Sequence, residues 1–155
     1  MDVFASFLYG LSVAFTPLNL LYCFLGVLLG TLIGVLPGIG PVAAISLLLP
    51  VTYQVPATST LIVLAGIYYG AQYGGSTTAI LVNIPGESSS VVTTLDGYQM
   101  AKQGRAGAAL GIAAFGSFIA GILATLGLMF VAPPMAELAI QFGPAEYVSL
   151  MILSL

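Results

Sequence analysis

The sequence predicts an all-α integral membrane protein, with multiple transmembrane helices of which some are broken by glycine and proline. Three observations carry this reading. First, 59% of the residues are hydrophobic and 5% are charged, with a mean hydropathy of +1.13, whereas an ordinary soluble domain has about 25% charged residues. Second, no Asp, Glu, Lys or Arg occurs from Val3 to Gly86 or from Ala106 to Ala136. A helix crosses the hydrocarbon layer in about 20 apolar residues, so these tracts hold several passes. Third, two apolar runs are interrupted by glycine and proline, at Gly34 to Pro41 (GVLPGIGP) and between Tyr68 and Gly104, where Gly74-Gly75 and Pro85-Gly86 fall.

Taken in order, Met1 to Thr16 carries Phe4, Phe7, Leu8 and Leu11 at helical spacing and suits an interfacial helix. Pro17 opens the next helix. Leu18 to Leu36 is long enough to cross, and Gly26, Gly30 and Gly34 repeat at the small-xxx-small spacing that lets a second helix approach closely. Pro37 and Pro41 each lack an amide donor and the glycines between them loosen the backbone, so no helix continues through them. Val42 to Leu49 is then either a half-helix after a break inside the membrane or the sequel to a surface loop. Pro50 to Pro56 reads as a boundary turn with Tyr53 at interfacial depth.

Ala57 to Tyr73 is the next apolar helix. Gly74-Gly75 is read as a break, Ser76 to Ile84 as a short apolar segment, and Pro85-Gly86 as its end. Glu87 to Gly107 is the long polar stretch, with Ser88, Ser89 or Ser90 as a helix cap, Val91, Leu95 and Tyr98 as an apolar stripe, and Gly104 as the C-terminal cap. Lys102 and Arg105 are the only positive side chains of the chain and place this segment in the cytoplasm. Ala108 to Val131 is a membrane span with Gly111, Gly116, Gly121 and Gly127 for close packing, ended by Pro133-Pro134. Met135 to Phe142 reads as an amphipathic connector and Gly143-Pro144 as the start of a last helix. The chain stops inside that apolar run, Tyr147 to Leu155, with no positive n-region after Met1-Asp2 to mark a signal peptide. The expectation is a single transmembrane domain over residues 1–155, the N-terminal portion of a longer protein.

Several function classes are excluded. Two basic residues cannot form a nucleic-acid-binding patch, and with no His there is neither a His-based triad nor a His-containing zinc site. A serine hydrolase would need Glu87 or Lys102 to fold back to Ser76 as its base, and no GxxxxGK[ST] loop occurs, so an ATP-driven pump would need a partner to carry one; the chain is expected not to be an enzyme and to carry no cofactor. Cys23 reads as a small buried hydrophobe.

Backbone that leaves the helix at membrane depth is tolerated only where protein or a water-filled cavity satisfies it. In secondary transporters the helix N-termini after such breaks face anionic substrate groups. The amides after Gly38 to Gly40, those of Gly75 to Thr78, and those of Gly86 to Ser90, Glu87 and Ser88 among them, are therefore candidate substrate contacts, joined by the hydroxyls of Ser76, Thr77, Thr78 and Ser88 and by Asn83. Each has a plainer alternative. Ser and Thr in membrane helices commonly bond back to their own preceding turn, Glu87 and Asp96 can be solvated loop charges, and Tyr68, Tyr69 and Tyr73 suit an interfacial belt.

GVLPGIGP (Gly34 to Pro41) and YGGSTTAILVNIPGESSSVVTTLDGYQMAKQGRAGAAL (Tyr73 to Leu110) closely resemble the N-terminal part of the large permease subunit of the tripartite tricarboxylate transporter family. The resemblance implies a multi-pass protein of the bacterial inner membrane, one part of an inverted-repeat transporter. It also implies a small membrane subunit and a periplasmic solute-binding protein as partners, and uptake of citrate-like carboxylates driven by an ion gradient. An anion bound with no buried cation is costly, so either co-bound Na⁺ or H⁺ offsets the charge, as the expected coupling ion, or the remainder of the longer protein supplies a basic residue. The alternative from a different class is a structural or assembly membrane subunit whose glycines serve only packing.

Overall fold

The computed structural model describes residues 3–153. The readings placed on Met1-Asp2 and on the last two residues of the final apolar run lie outside the described residues. Helices account for nearly all of the described chain, and no strand occurs among the described residues. Two compact units are present, Met1–Ser117 and Phe118–Leu155.

The first unit is built on helices α2 (Pro17–Gly34) and α4 (Ala57–Val82), preceded by α1 (Val3–Ala14). The small-residue spacing predicted for α2 is met by a matching series on α4. Gly26, Gly30 and Gly34 face the backbone of Val63, Ile67 and Ala71, while Gly66, Gly70 and Gly74 face that of Cys23, Val27 and Thr31. A β-carbon at Gly26 would stand 2.5 Å from the Val63 carbonyl oxygen, and one at Gly74 2.6 Å from that of Thr31. The contacts advance together along both sequences, so the two helices run parallel. Near their N-termini, the buried Ser59 hydroxyl donates to Asn19 Oδ1 (2.6 Å), and Asn19 Nδ2 donates to the Val13 carbonyl (2.8 Å). That link closes the polar end of the seam without leaving a buried donor or acceptor unpaired.

Parallel neighbours require a return path. It is supplied by α3 (Gly40–Leu48) and a 3₁₀ helix over Leu49–Gln54, together about 25 Å of rise. Ala44 of α3 is buried with Ile67 and Ala71 of α4, and Ile33, Ile45, Leu48, Val63 and Leu64 pack around them. The stretch predicted as a boundary turn, Pro50 to Pro56, is therefore mostly 3₁₀ helix. The predicted break at Leu36 to Pro41 is present: α2 ends at Gly34, and Gly38 (φ +87°) and Gly40 (φ +60°) adopt the left-handed backbone that glycine accepts most readily.

Two expected interruptions do not occur. Gly74-Gly75 does not break its helix, because α4 runs on to Val82 and ends at Asn83, whose φ of 60° makes it a left-handed C-cap ahead of Pro85. Glycine alone leaves every amide donor in place, so a packed helix continues through it; proline is what stops this one. Pro133-Pro134, read as a terminator, lies inside α6 (Ala106–Ile140, 35 residues). Proline's fixed φ is itself helical, so two ring-locked residues forfeit amide donors and still follow the helix path. The connector expected over Met135 to Phe142 is accordingly helical up to Ile140.

Helix α5 (Val91–Lys102) follows a 3₁₀ turn at Ser88–Ser90. Its C-terminus closes as predicted: Gly104 (φ +76°) donates to Ala101 O and Arg105 donates to Met100 O, the paired bonds of a Schellman cap. Its packed face differs from prediction, since Val91 and Leu95 are exposed and buried Gly97 meets Ile80 of α4. Close approach to α4 selects the residue without a side chain over the bulkier stripe.

Gly111 and Gly116 meet no atom within 4 Å of an added β-carbon, so the close packing expected of them has no partner among the described residues. In the second unit, α7 (Pro144–Leu153) starts where Gly143-Pro144 predicts. The Tyr147 hydroxyl donates to Ala139 O (3.1 Å) and its ring lies 6.3 Å from that of Phe142. Among the described residues α2 and α6 are long and apolar enough to cross a membrane. Helix α4 is 26 residues long and uncharged but richer in Ser, Thr, Tyr and Gly, as suits a helix enclosed by others.

Candidate functional site

After Asn83 the chain does not leave α4. It turns back along it, so that Gly86 lies against Gly75 and Ser89 reaches Gln72. Gln72 is ten residues before the end of α4, a return of about 15 Å at the helical rise. Then α5 climbs the same helix again, with Gly97 at Ile80. The two Pro-Gly loops meet at the bottom of this dip, where the Gly38 amide donates to the Gly86 carbonyl (3.1 Å). Only glycine fits there: a β-carbon on Gly86 would collide with the Gly75 Cα and stand 2.9 Å from the Gly34 carbonyl oxygen.

Between the loops lies an open cavity of about 620 Å³. It is lined by Gly38, Ile39, Gly40, Pro41 and Val42 from the start of α3, Tyr68 and Gln72 from α4, and Pro85, Gly86, Glu87, Ser88, Ser89 and Val91 from the second loop and the start of α5. Two helical N-termini, that of α3 and that of the turn leading into α5, thus border one cavity, each bringing the partial positive charge of its helix end. No Lys or Arg lines it.

A hydrogen-bonded chain crosses one wall. With the Gln72 amide nitrogen toward the carboxylate, it donates to Glu87 and to Ser89 Oγ (3.1 Å), while the Gln72 oxygen accepts from the Tyr68 hydroxyl (3.1 Å). The opposite amide orientation would set oxygen against carboxylate. Ser89 donates to Glu87, and Glu87 also takes part in a capping box, its amide donating to Ser90 Oγ (3.2 Å) and its carboxylate accepting from the Ser90 amide. Burial pushes the Glu87 carboxyl above its ordinary range, and the Ser89 hydrogen bond opposes this.

Of the residues singled out in the sequence, Gly38, Gly40, Gly86, Glu87 and Ser88 come together on this cavity. Gly75 lies directly behind it, an added β-carbon standing 3.4 Å from the Gly86 Cα and 3.5 Å from Glu87 Oε1. Ser76, Thr77 and Thr78 stay in the α4 ladder, donating to the carbonyls of Gln72 (3.2 Å), Tyr73 (2.9 Å) and Gly75 (2.9 Å). Asn83 caps α4, away from the cavity lining. Sequence reasoning missed Gln72 and gave Tyr68 to an interfacial belt. Their spacing of four residues, one turn before Gly75, was the available signal.

Comparison with known proteins agrees with these elements. The chain is 60% identical over all of its 155 residues to a protein of Agrobacterium vitis described as an uncharacterized 52.8 kDa protein in the TAR-I ttuC' 3' region, and it spans 31% of that relative's length. No solved structure matches. Residues 20–155, from the α2 seam through both Pro-Gly loops and onward, match the family described as the tripartite tricarboxylate transporter TctA family. With that match covering most of its length, this helical membrane chain belongs to the tripartite tricarboxylate transporter TctA family.

Proposed function

We propose that the chain is part of the permease subunit of a binding-protein-dependent uptake system for citrate-like carboxylates, driven by an ion gradient. It works as a multi-pass protein of the bacterial inner membrane, with a small membrane subunit and a periplasmic solute-binding protein. The observation that supports this reading is the convergence of two helix N-termini on one recessed cavity, where amides and hydroxyls, in the absence of Lys and Arg, are the donors for a carboxylate. Gly38, Gly40, Gly86 and Ser88 are the proposed contacts, with Gly75 holding the second loop against α4. The assembly-subunit alternative accounts for the α2 and α4 glycine seam but leaves the cavity and its polar chain without a role.

The test is uptake of radiolabelled citrate by the complete transporter in proteoliposomes. Gly86→Ala, which displaces the loop, is expected to lower uptake at least tenfold, about the effect of 1.4 kcal/mol on binding. Ser76→Ala and Thr77→Ala should change it less than twofold. Normal uptake by Gly86→Ala and Gly38→Leu variants that still insert would sink the cavity assignment.

A further inference from the structure

We propose that Glu87 is a proton-binding group of this cavity, and that the cavity takes a carboxylate ligand together with a proton on Glu87. The inference rests on the carboxylate reading above and adds the partner charge which that reading lacks.

Glu87 is the one carboxylate of the cavity lining. A ligand carboxylate in the same cavity would face a like charge on Glu87. Among the described residues nothing nearby neutralises the pair. Helix α3 and its loop contribute no ionisable group, α4 contributes the Tyr68 hydroxyl, and the turn into α5 contributes Ser88, Ser89 and Ser90. The remaining charged side chains of the first unit's described residues are Asp96, Lys102 and Arg105; Lys102 lies 4.7 Å from the Tyr98 ring centroid and Arg105 donates to Gln103 Oε1 (2.9 Å).

Geometry gives protonation a second effect. The ionised carboxylate holds the Gln72 amide, the Ser89 hydroxyl and the Ser90 amide, three of the donors on that wall. A proton arriving from the aqueous side adds to one carboxylate oxygen, removes the charge and weakens that oxygen as an acceptor. Donors then become available to the incoming anion. The upward push that burial exerts on this carboxyl acts in the same direction. Sodium fits the site less well, because the Gln72 amide hydrogens point at the oxygens a cation would need.

The experiment is citrate binding to the complete transporter, by calorimetry over a pH series that rises from the ordinary carboxyl value of 4.5, because burial raises the Glu87 carboxyl above it. Wild type is compared with Glu87→Gln, so that citrate's own titration cancels in the ratio. The ratio of wild-type to variant affinity is expected to fall about tenfold per pH unit above the Glu87 pKa and to flatten below it. Gln72→Leu removes a donor to the ionised form and is expected to move that break to higher pH, which a packing role alone would not do. A ratio independent of pH, with binding intact, overturns the proton assignment and leaves the carboxylate site standing. So does a wild-type affinity that follows Na⁺ at constant pH and loses this dependence in Glu87→Gln. Failure of wild type to bind citrate or tricarballylate at any pH overturns both readings.

Discussion

Gly30 and Gly111 are the same residue in two helices, and they are expected to answer a methyl group in opposite ways. A β-carbon on Gly30 enters the backbone of Ile67, whereas one on Gly111 meets nothing within 4 Å. Overpacking costs about 1–3 kcal/mol, and glycine in a helix interior costs up to about 1 kcal/mol relative to alanine. Gly30→Ala should therefore lower stability by about 1–3 kcal/mol in denaturant unfolding of the detergent-solubilised protein, while Gly111→Ala should leave it unchanged or raise it. Glu87 adds a pH term at this same scale. Its folded pKa is raised above the ordinary value of 4.5, so its contribution is fully present below that value and is lost as pH rises through the folded pKa. Thermal melting of wild type should decline relative to Glu87→Gln over that window. The sequence made Glu87 visible because it follows a Pro-Gly break. It hid the fate of Ser76, Thr77 and Thr78, since a hydroxyl beside a carbonyl of its own preceding turn and one facing a ligand are written with the same letters.

Elements were legible where proline or a matched glycine series wrote them. The ends of α2 and α4, the starts of α3 and α7 and the Gly104 cap follow from residues whose backbone preferences are strong. Gly74-Gly75 was misleading because the signature of a break and that of close helix contact coincide, and only the facing Thr31 and Gly34 separate them. The α2 to α4 seam also carries a polar test. Ser59→Ala should cost about 1–3 kcal/mol by leaving the buried Asn19 Oδ1 without its donor. Asn19→Leu with Ser59→Ala should cost less than the sum of the single changes in a double-mutant cycle. At the end of α5, Gly104→Ala places a side chain in left-handed backbone and should lower stability by about 1 kcal/mol.

For the molecule as a whole, the helical membrane class followed from composition, and the parallel course of α2 and α4 did not. Parallel pairing depends on which glycines face which backbone atoms some forty residues away, and no local pattern encodes that register. The orientation across the bilayer follows from Lys102 and Arg105 if they lie on the cytoplasmic side. A cysteine replacing Gln103 in a Cys23→Ala background should then react with a membrane-impermeant maleimide in inside-out vesicles and stay unreacted in right-side-out ones.

The meeting of Gly38 and Gly86 has a kinetic consequence. One main-chain bond joins the two loops directly, and its net worth is about 0.5–1.5 kcal/mol, so thermal motion undoes that clasp often without melting a single turn of helix. Deuterium should accordingly enter the Gly38 amide well before those of the adjoining α2 turn. A solute that gains one contact in the unclasped arrangement has enough leverage to hold the door.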